Sequence, residues 1–120
     1  MGDRKREEPA DFEILFYEGV VRQRPDYIEA LMPLAEAYTR KGLYEKGLEI
    51  DERLAQLCKD DAVVYYNLAC SYALIGRKTE ALKTLRRAVE LGYCEFKHMR
   101  KDSDLKSLHG DPDFESLTEA

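Results

Sequence analysis

Leu31-Met32-Pro33-Leu34-Ala35-Glu36-Ala37-Tyr38 and, 34 residues later, Tyr65-Tyr66-Asn67-Leu68-Ala69-Cys70-Ser71-Tyr72 are the stretches that decide the fold. Setting residues 28–61 over 62–95 needs no gap. Seven pairs are identical: Leu34/Leu68, Ala35/Ala69, Tyr38/Tyr72, Gly42/Gly76, Leu48/Leu82, Arg53/Arg87 and Leu57/Leu91. Most are small or apolar residues at helical spacings, and one glycine punctuates the middle of each window.

Each window reads as two helices joined by a short turn. In the first, Asp26 and Glu29 offer a capping box before the apolar run Leu31, Leu34, Ala35, Tyr38. Gly42 supplies a left-handed residue to end that helix. A second helix follows from about Tyr44 to Cys58, with Leu48, Leu54 and Leu57 on its apolar side. The second window repeats this with Tyr65, Leu68, Ala69 and Tyr72, then Gly76, then Ala81, Leu82, Leu85, Ala88 and Leu91, and Gly92 closes it. Neither pair can cover its apolar faces alone, so neighbouring pairs must stack.

Composition bounds the rest. The chain has 120 residues, 44% apolar and 36% charged, with four prolines and seven glycines. That mixture is too apolar for a disordered chain and too charged for a membrane protein. No apolar run approaches the roughly 18 residues of a membrane span, and Met1-Gly2-Asp3-Arg4-Lys5-Arg6-Glu7-Glu8 lacks the apolar stretch of a secretory signal. A net charge of −5 gives no footprint for nucleic acid, so neither nucleic acid nor a membrane is an expected partner. Cys58, Cys70 and Cys94 are odd in number and widely spaced, which predicts thiols in a reducing cytoplasm rather than a disulfide framework.

These windows resemble tetratricopeptide repeats, whose unit has 34 residues and the pattern W-x2-L-G-x2-Y, then A-x3-F, an alanine and a proline. This chain gives Leu31-x2-Leu34-Ala35-x2-Tyr38 and Tyr65-x2-Leu68-Ala69-x2-Tyr72, with Gly47 and Ala81 at the later alanine position and Leu54 and Ala88 after it. Asp51 departs from the usual apolar residue, and neither unit ends in proline. The resemblance implies an all-α, right-handed helical-repeat solenoid of about two full repeats, with a leading helix and C-terminal capping helices.

The flanks extend that division. One period back, residues 11–25 fall where the second helix of a preceding unit would lie, with Tyr17 and Val20 apolar and Pro25 at the family's closing proline. The expected organisation is a disordered charged N-terminus over 1–10 and a single domain over 11–120: a half repeat to 25, repeats at 28–61 and 62–95, and a closing segment at 96–120. In that segment Asp102-x-Asp104-Leu105-x2-Leu108-x2-Asp111-Pro112-x-Phe114-x2-Leu117 reads as two short helical pieces. Asp111 can cap and Pro112 suits the first helical position. The arrangement resembles the closing segment of many bacterial tetratricopeptide proteins.

The resemblance also implies a groove lined by the first helix of each unit, and so a protein or peptide partner. Its positions here are Glu29, Met32, Pro33, Glu36, Thr39 and Arg40, then Val63, Tyr66, Asn67, Cys70, Ala73 and Leu74. The second set is unusually apolar, which reads as a ligand surface or as a face covered by the closing segment; both stay open. In the family's two-carboxylate clamp, Asn67 would take the middle asparagine position and Lys97 and Lys101 the third pair. Met32 and Glu36, however, replace the first Lys and Asn, and Glu36 would repel a carboxylate. Pro33 either kinks its helix or marks a late start.

The run Lys97-His98-Met99-Arg100-Lys101 reads as a solvated link. Cys94 and His98 lie one turn apart with no second pair, so no metal site is expected. Nor is a cofactor or catalysis: there is no nucleophile–base pairing and no glycine-rich phosphate loop. The expected function is protein–protein recognition at Glu29, Met32, Glu36, Val63, Tyr66, Asn67, Cys70, Lys97 and Lys101. The alternative is homodimerisation through the unpaired leading helix or an uncovered apolar end, and an enzyme with an unrecognised site ranks below both.

Overall fold

The structure is a computed structural model that describes residues 9–119. Residues 1–8, which carry most of the expected disordered N-terminus, lie outside the described residues. Seven α-helices and one 3-10 helix make up the described chain, and no strand occurs among the described residues. None of these helices is long and apolar enough to cross a membrane. The chain divides between Leu57 and Cys58 into two compact units.

The first unit holds α1 (Pro9–Gln23), α2 (Ile28–Arg40) and α3 (Tyr44–Leu57), with α2 packed against both neighbours. Ala30, Leu31, Leu34, Ala35 and Tyr38 recur at helical spacing on α2 and are buried, with Leu48, Ile50 and Leu54 of α3 buried as well. Polar contacts fix α1 on α2: the Tyr38 hydroxyl donates to Glu18, and Arg40 Nη2 donates to Glu13 Oε1 at 2.6 Å.

Gly47 occupies the repeat's alanine position because space is short there. A Cβ at Gly47 would lie 3.0 Å from Thr39 Oγ1 and 3.6 Å from the Ala35 carbonyl. Gly42 ends the α2 turn at φ 85°, and Gly76 does the same one period later at φ 84°. A side chain is strained in that left-handed region, which is why both windows place glycine there.

Two local expectations are corrected or decided here. The capping box at Asp26 and Glu29 does not form: Tyr27 stands at the N-cap and makes no side-chain cap bond. The Tyr27 N–H instead bonds to the Arg24 carbonyl at 3.1 Å, closing a turn with Pro25 at its second position. That turn delays the helix by one residue. Pro33 lies inside α2, so the helix starts before it and gives up one backbone bond there.

The second unit holds α4 (Ala62–Leu74), α5 (Lys78–Glu90), α6 (Phe96–Lys101), the 3-10 helix (Ser103–Leu108) and α7 (Pro112–Leu117). Asp61, one period after Tyr27, does cap: its carboxylate accepts from the Val63 and Val64 N–H groups at 3.0 and 3.2 Å. Helix α4 has no charged residue, and a helix apolar all round needs cover on more than one side. Helix α5 covers one side and the closing segment another. Met99, Leu105, Leu108 and Phe114 enter the same core as Ala69, Cys70, Leu85 and Ala88.

The closing segment forms three short helical pieces: α6, the 3-10 helix and α7. Asp111 accepts from the Asp113 N–H at 2.9 Å and Pro112 opens α7. The run 97–101, expected as a solvated link, is instead helix α6, because Met99 is fully buried and anchors it. Arg100 donates to the Thr118 carbonyl, joining α6 to the end of α7.

Candidate functional site

The groove positions of α4 divide into a covered pair and an exposed pair. Tyr66 and Cys70 are buried, at 5% and 6% exposure, whereas Val63 is 51% exposed and Asn67 is exposed. Helical spacing accounts for Asn67, which lies off the stripe of Tyr66, Cys70 and Ala73; Val63 falls on that stripe, seven residues before Cys70, and is exposed in the first turn of α4.

What covers Tyr66 comes from the closing segment. Its hydroxyl donates to Asp102 Oδ2 at 2.5 Å, and its ring stacks on Tyr93 with centroids 4.3 Å apart and planes 2° apart. His98 Nε2 lies 3.3 Å from the same Asp102 oxygen, and the Cys70 thiol lies 3.9 Å from it. The other Asp102 oxygen accepts from the Asp104 N–H at 3.0 Å, capping the 3-10 helix. Ser107 Oγ donates to the Ala73 carbonyl at 3.3 Å, one turn further along α4. The question left open by the sequence is thereby answered at Tyr66, Cys70 and Ala73. The chain covers its own apolar face there.

Burial and charge shift several acid groups in this cluster. Burial first, then the neighbouring Cys70 and Asp102, pushes the Tyr66 phenol far above the ordinary tyrosine range. Burial also raises Tyr93. Asp104 is raised by burial and then by the Asp102 charge. Cys70, Asp102 and Asp104 place donor atoms within 4.8 Å of one another, a spacing that fits a cation. Asp102 Oδ2 accepts the Tyr66 hydroxyl and Oδ1 the Asp104 N–H, so the same residues form a hydrogen-bonded latch. Cys94 is exposed while His98 turns to Asp102.

The remaining candidate positions lie at the surface. Lys97 and Lys101 are exposed on α6, one turn apart. In the first unit Glu29 and Glu36 are exposed and Met32 is half-buried on α2. Glu36 Oε1 lies 3.7 Å from Arg40 Nη1, so a cation on its own helix offsets part of its charge. Glu29 lines a surface depression with Arg24, Pro25, Asp26, Tyr27 and Ile28. The latch residues Tyr93 and Asp102 escaped the sequence reading. Only the place of Asp102 at the head of the closing motif was legible.

A helical-repeat scaffold with an apolar first-helix face partly sealed by a closing segment is the class this geometry defines. A family model described as tetratricopeptide repeat matches residues 26–92, and the chain belongs to that family. It is similar to a chloroplastic protein of Arabidopsis thaliana, with 32% identity over 83 residues. That match takes in 67% of this chain and 25% of the relative, so the chain spans a quarter of the relative's length. Two crystal structures of MamA superpose with TM-scores of 0.76 at 25% identity, covering 98% of this chain and 63% and 68% of theirs. The expected all-α helical-repeat class is the one the chain adopts.

Proposed function

We propose that the protein is a non-catalytic, cytoplasmic recognition module that holds a segment of a partner protein on the exposed groove positions of its repeats. On α4 these are Val63 and Asn67, with Lys97 and Lys101 of α6 in the same unit; on α2 they are Glu29, Met32 and Glu36. Tyr66 and Cys70 support that surface from beneath rather than touching the partner. Family membership supports the general role, because tetratricopeptide proteins serve as protein-binding scaffolds.

The observation that carries the reading is the way α4 takes its own closing segment. A short helical stretch brings apolar Leu105 and Leu108 into the core with α4 residues, and one carboxylate accepts the Tyr66 hydroxyl. That face is filled by the chain itself, which leaves the exposed positions of the same helix, Val63 and Asn67, to a partner segment. Val63 is an apolar side chain left half exposed on that helix. The test compares partners retained by the wild-type chain and by Val63→Asp with Asn67→Ala, using Lys83→Ala on α5 as control. Loss of a retained partner in the double variant alone supports the reading, and an unchanged set moves the site elsewhere.

A second reading, homodimerisation through the leading helix, is favoured by the exposure of Phe12, Leu15 and Phe16 on α1.

A further inference from the structure

The face of α1 opposite Ile14 carries three large apolar side chains in water: Phe12 at 73% exposure, Leu15 at 69% and Phe16 at 59%. With Gly19 they follow the i, i+3, i+4, i+7 spacing of one helical stripe, while Ile14 turns inward. The chain's own period shows that this face is not a requirement of the repeat. At the positions of Phe12, Leu15 and Gly19, α3 has Lys46, Glu49 and Arg53, and α5 has Glu80, Lys83 and Arg87. At the position of Phe16 the two helices have Ile50 and Thr84, so the contrast lies at Phe12, Leu15 and Gly19, where both equivalent helices keep charges and α1 has none.

Gly19 adds a second, independent observation. It lies inside α1, where glycine weakens a helix relative to alanine. A Cβ placed on it meets no atom within 4 Å, so nothing inside the chain makes use of the bare backbone. A bare helical position beside exposed aromatic rings is suited to close approach by another helix from outside.

Deepening the homodimer reading, we propose that α1 is a self-association surface on which two copies of this chain pair their α1 helices antiparallel across a two-fold axis. The stripe is self-complementary in that arrangement. Its bulky half, Phe12 and Phe16, is N-terminal, and its bare half, Gly19, is C-terminal, so a two-fold sets each copy's aromatic rings over the other's glycine. Antiparallel helices also oppose their dipoles favourably. Three such apolar side chains offer on the order of 400 Å² per copy, below the roughly 800 Å² of a standard interface. The dimer is therefore weak and concentration-dependent.

Sedimentation velocity on the full chain tests this from about 5 to about 500 µM, since the dimer population follows mass action. The wild type shifts from monomer toward dimer over that range. Phe16→Asp stays monomeric. Gly19→Leu weakens dimerisation by about tenfold or more while raising the thermal midpoint of the monomer, because leucine is the better helix former. That opposite movement separates lost pairing from lost folding. Benzoylphenylalanine at Phe12 crosslinks to residues near Gly19 of the second copy. A wild type that is monomeric throughout overturns the homodimer reading as a whole and leaves this face to a different protein. A dimer that ignores both substitutions overturns only the α1 surface, and crosslinks from position 12 back to position 12 overturn the antiparallel arrangement.

Discussion

The Tyr66 hydroxyl donates to the Asp102 carboxylate at 2.5 Å, tying the first helix of the second repeat to a segment 36 residues further along the chain. A charge-assisted bond of this kind contributes more than a neutral one, and removing its donor leaves a partly buried carboxylate short of a partner. Tyr66→Phe should lower the unfolding free energy by about 1–2 kcal/mol. Asp102→Asn should couple with it by about 1 kcal/mol in a double-mutant cycle followed by urea unfolding. Additive effects would mean the bond contributes nothing to stability.

The raised Tyr66 phenol makes the fold sensitive to alkali. Burial, reinforced by Cys70 and Asp102, favours the neutral phenol in the folded chain over the ordinary value of 10.0. Stability from this group is therefore fully present below about pH 10 and falls as pH rises through the range where only the unfolded chain ionises. Thermal midpoints of the wild type should drop more steeply above that pH than those of Tyr66→Phe.

Asp104 has the same sign in the acid range. Burial and then the Asp102 charge raise it above its ordinary 3.8, so the folded chain favours its protonated form. Its ionisation costs stability as pH rises through the raised value, and the cost disappears on acidification below the ordinary carboxylate range. Asp104→Asn should raise the thermal midpoint at neutral pH by about 2 °C, the group being only partly buried. The gain should vanish near about pH 3.5, as read by calorimetry at both values.

Closure of the second unit depends on Leu105 and Leu108, both at 0% exposure. Truncating either to alanine leaves a cavity under the closing segment and should cost about 2–4 kcal/mol. Hydrogen exchange should show lost protection in α6, the 3-10 helix and α7 while the amides of α2 keep theirs. Uniform loss over all helices would contradict a separate closing segment.

Gly47 and Thr39 should behave as a pair. Alanine at 47 gains about 1 kcal/mol of helix propensity, but its Cβ would lie 3.0 Å from Thr39 Oγ1, which itself donates to the Ala35 carbonyl at 3.1 Å. Gly47→Ala alone should change stability little. Combined with Thr39→Ala it should be more stable than Thr39→Ala alone by about 1 kcal/mol. A larger side chain such as valine should destabilise by about 1–3 kcal/mol.

The helices were legible because they rest on local physics: apolar residues at helical spacing, and glycines such as Gly42 and Gly76 at turns that take positive φ. Leu105, Leu108 and Phe114 could be placed inward for the same reason. Contacts between distant stretches were not legible. Nothing local marks Tyr93 as the ring that stacks on Tyr66, or Asp102 as its hydrogen-bond acceptor. The helical run 97–101 was hidden because four of its five residues are basic or histidine, and the one buried residue, Met99, decides it. Tyr27 hid the late start of α2, since a turn through Pro25 outweighed a capping pattern that the sequence contains. The groove positions came from family resemblance, and their division into covered and exposed needed the closing segment in place.

The central claim is that partners are held at the exposed groove positions of the first helices. Site-specific photo-crosslinking in extract of the source cell tests it most directly, with the crosslinker at Val63 or Asn67 in one set and at Lys83 on α5 in the other. A discrete protein adduct from Val63 and Asn67, missing from Lys83 and competed by unlabelled chain, is the result expected. Adducts that form equally from Lys83, or from none of the three positions, would contradict it.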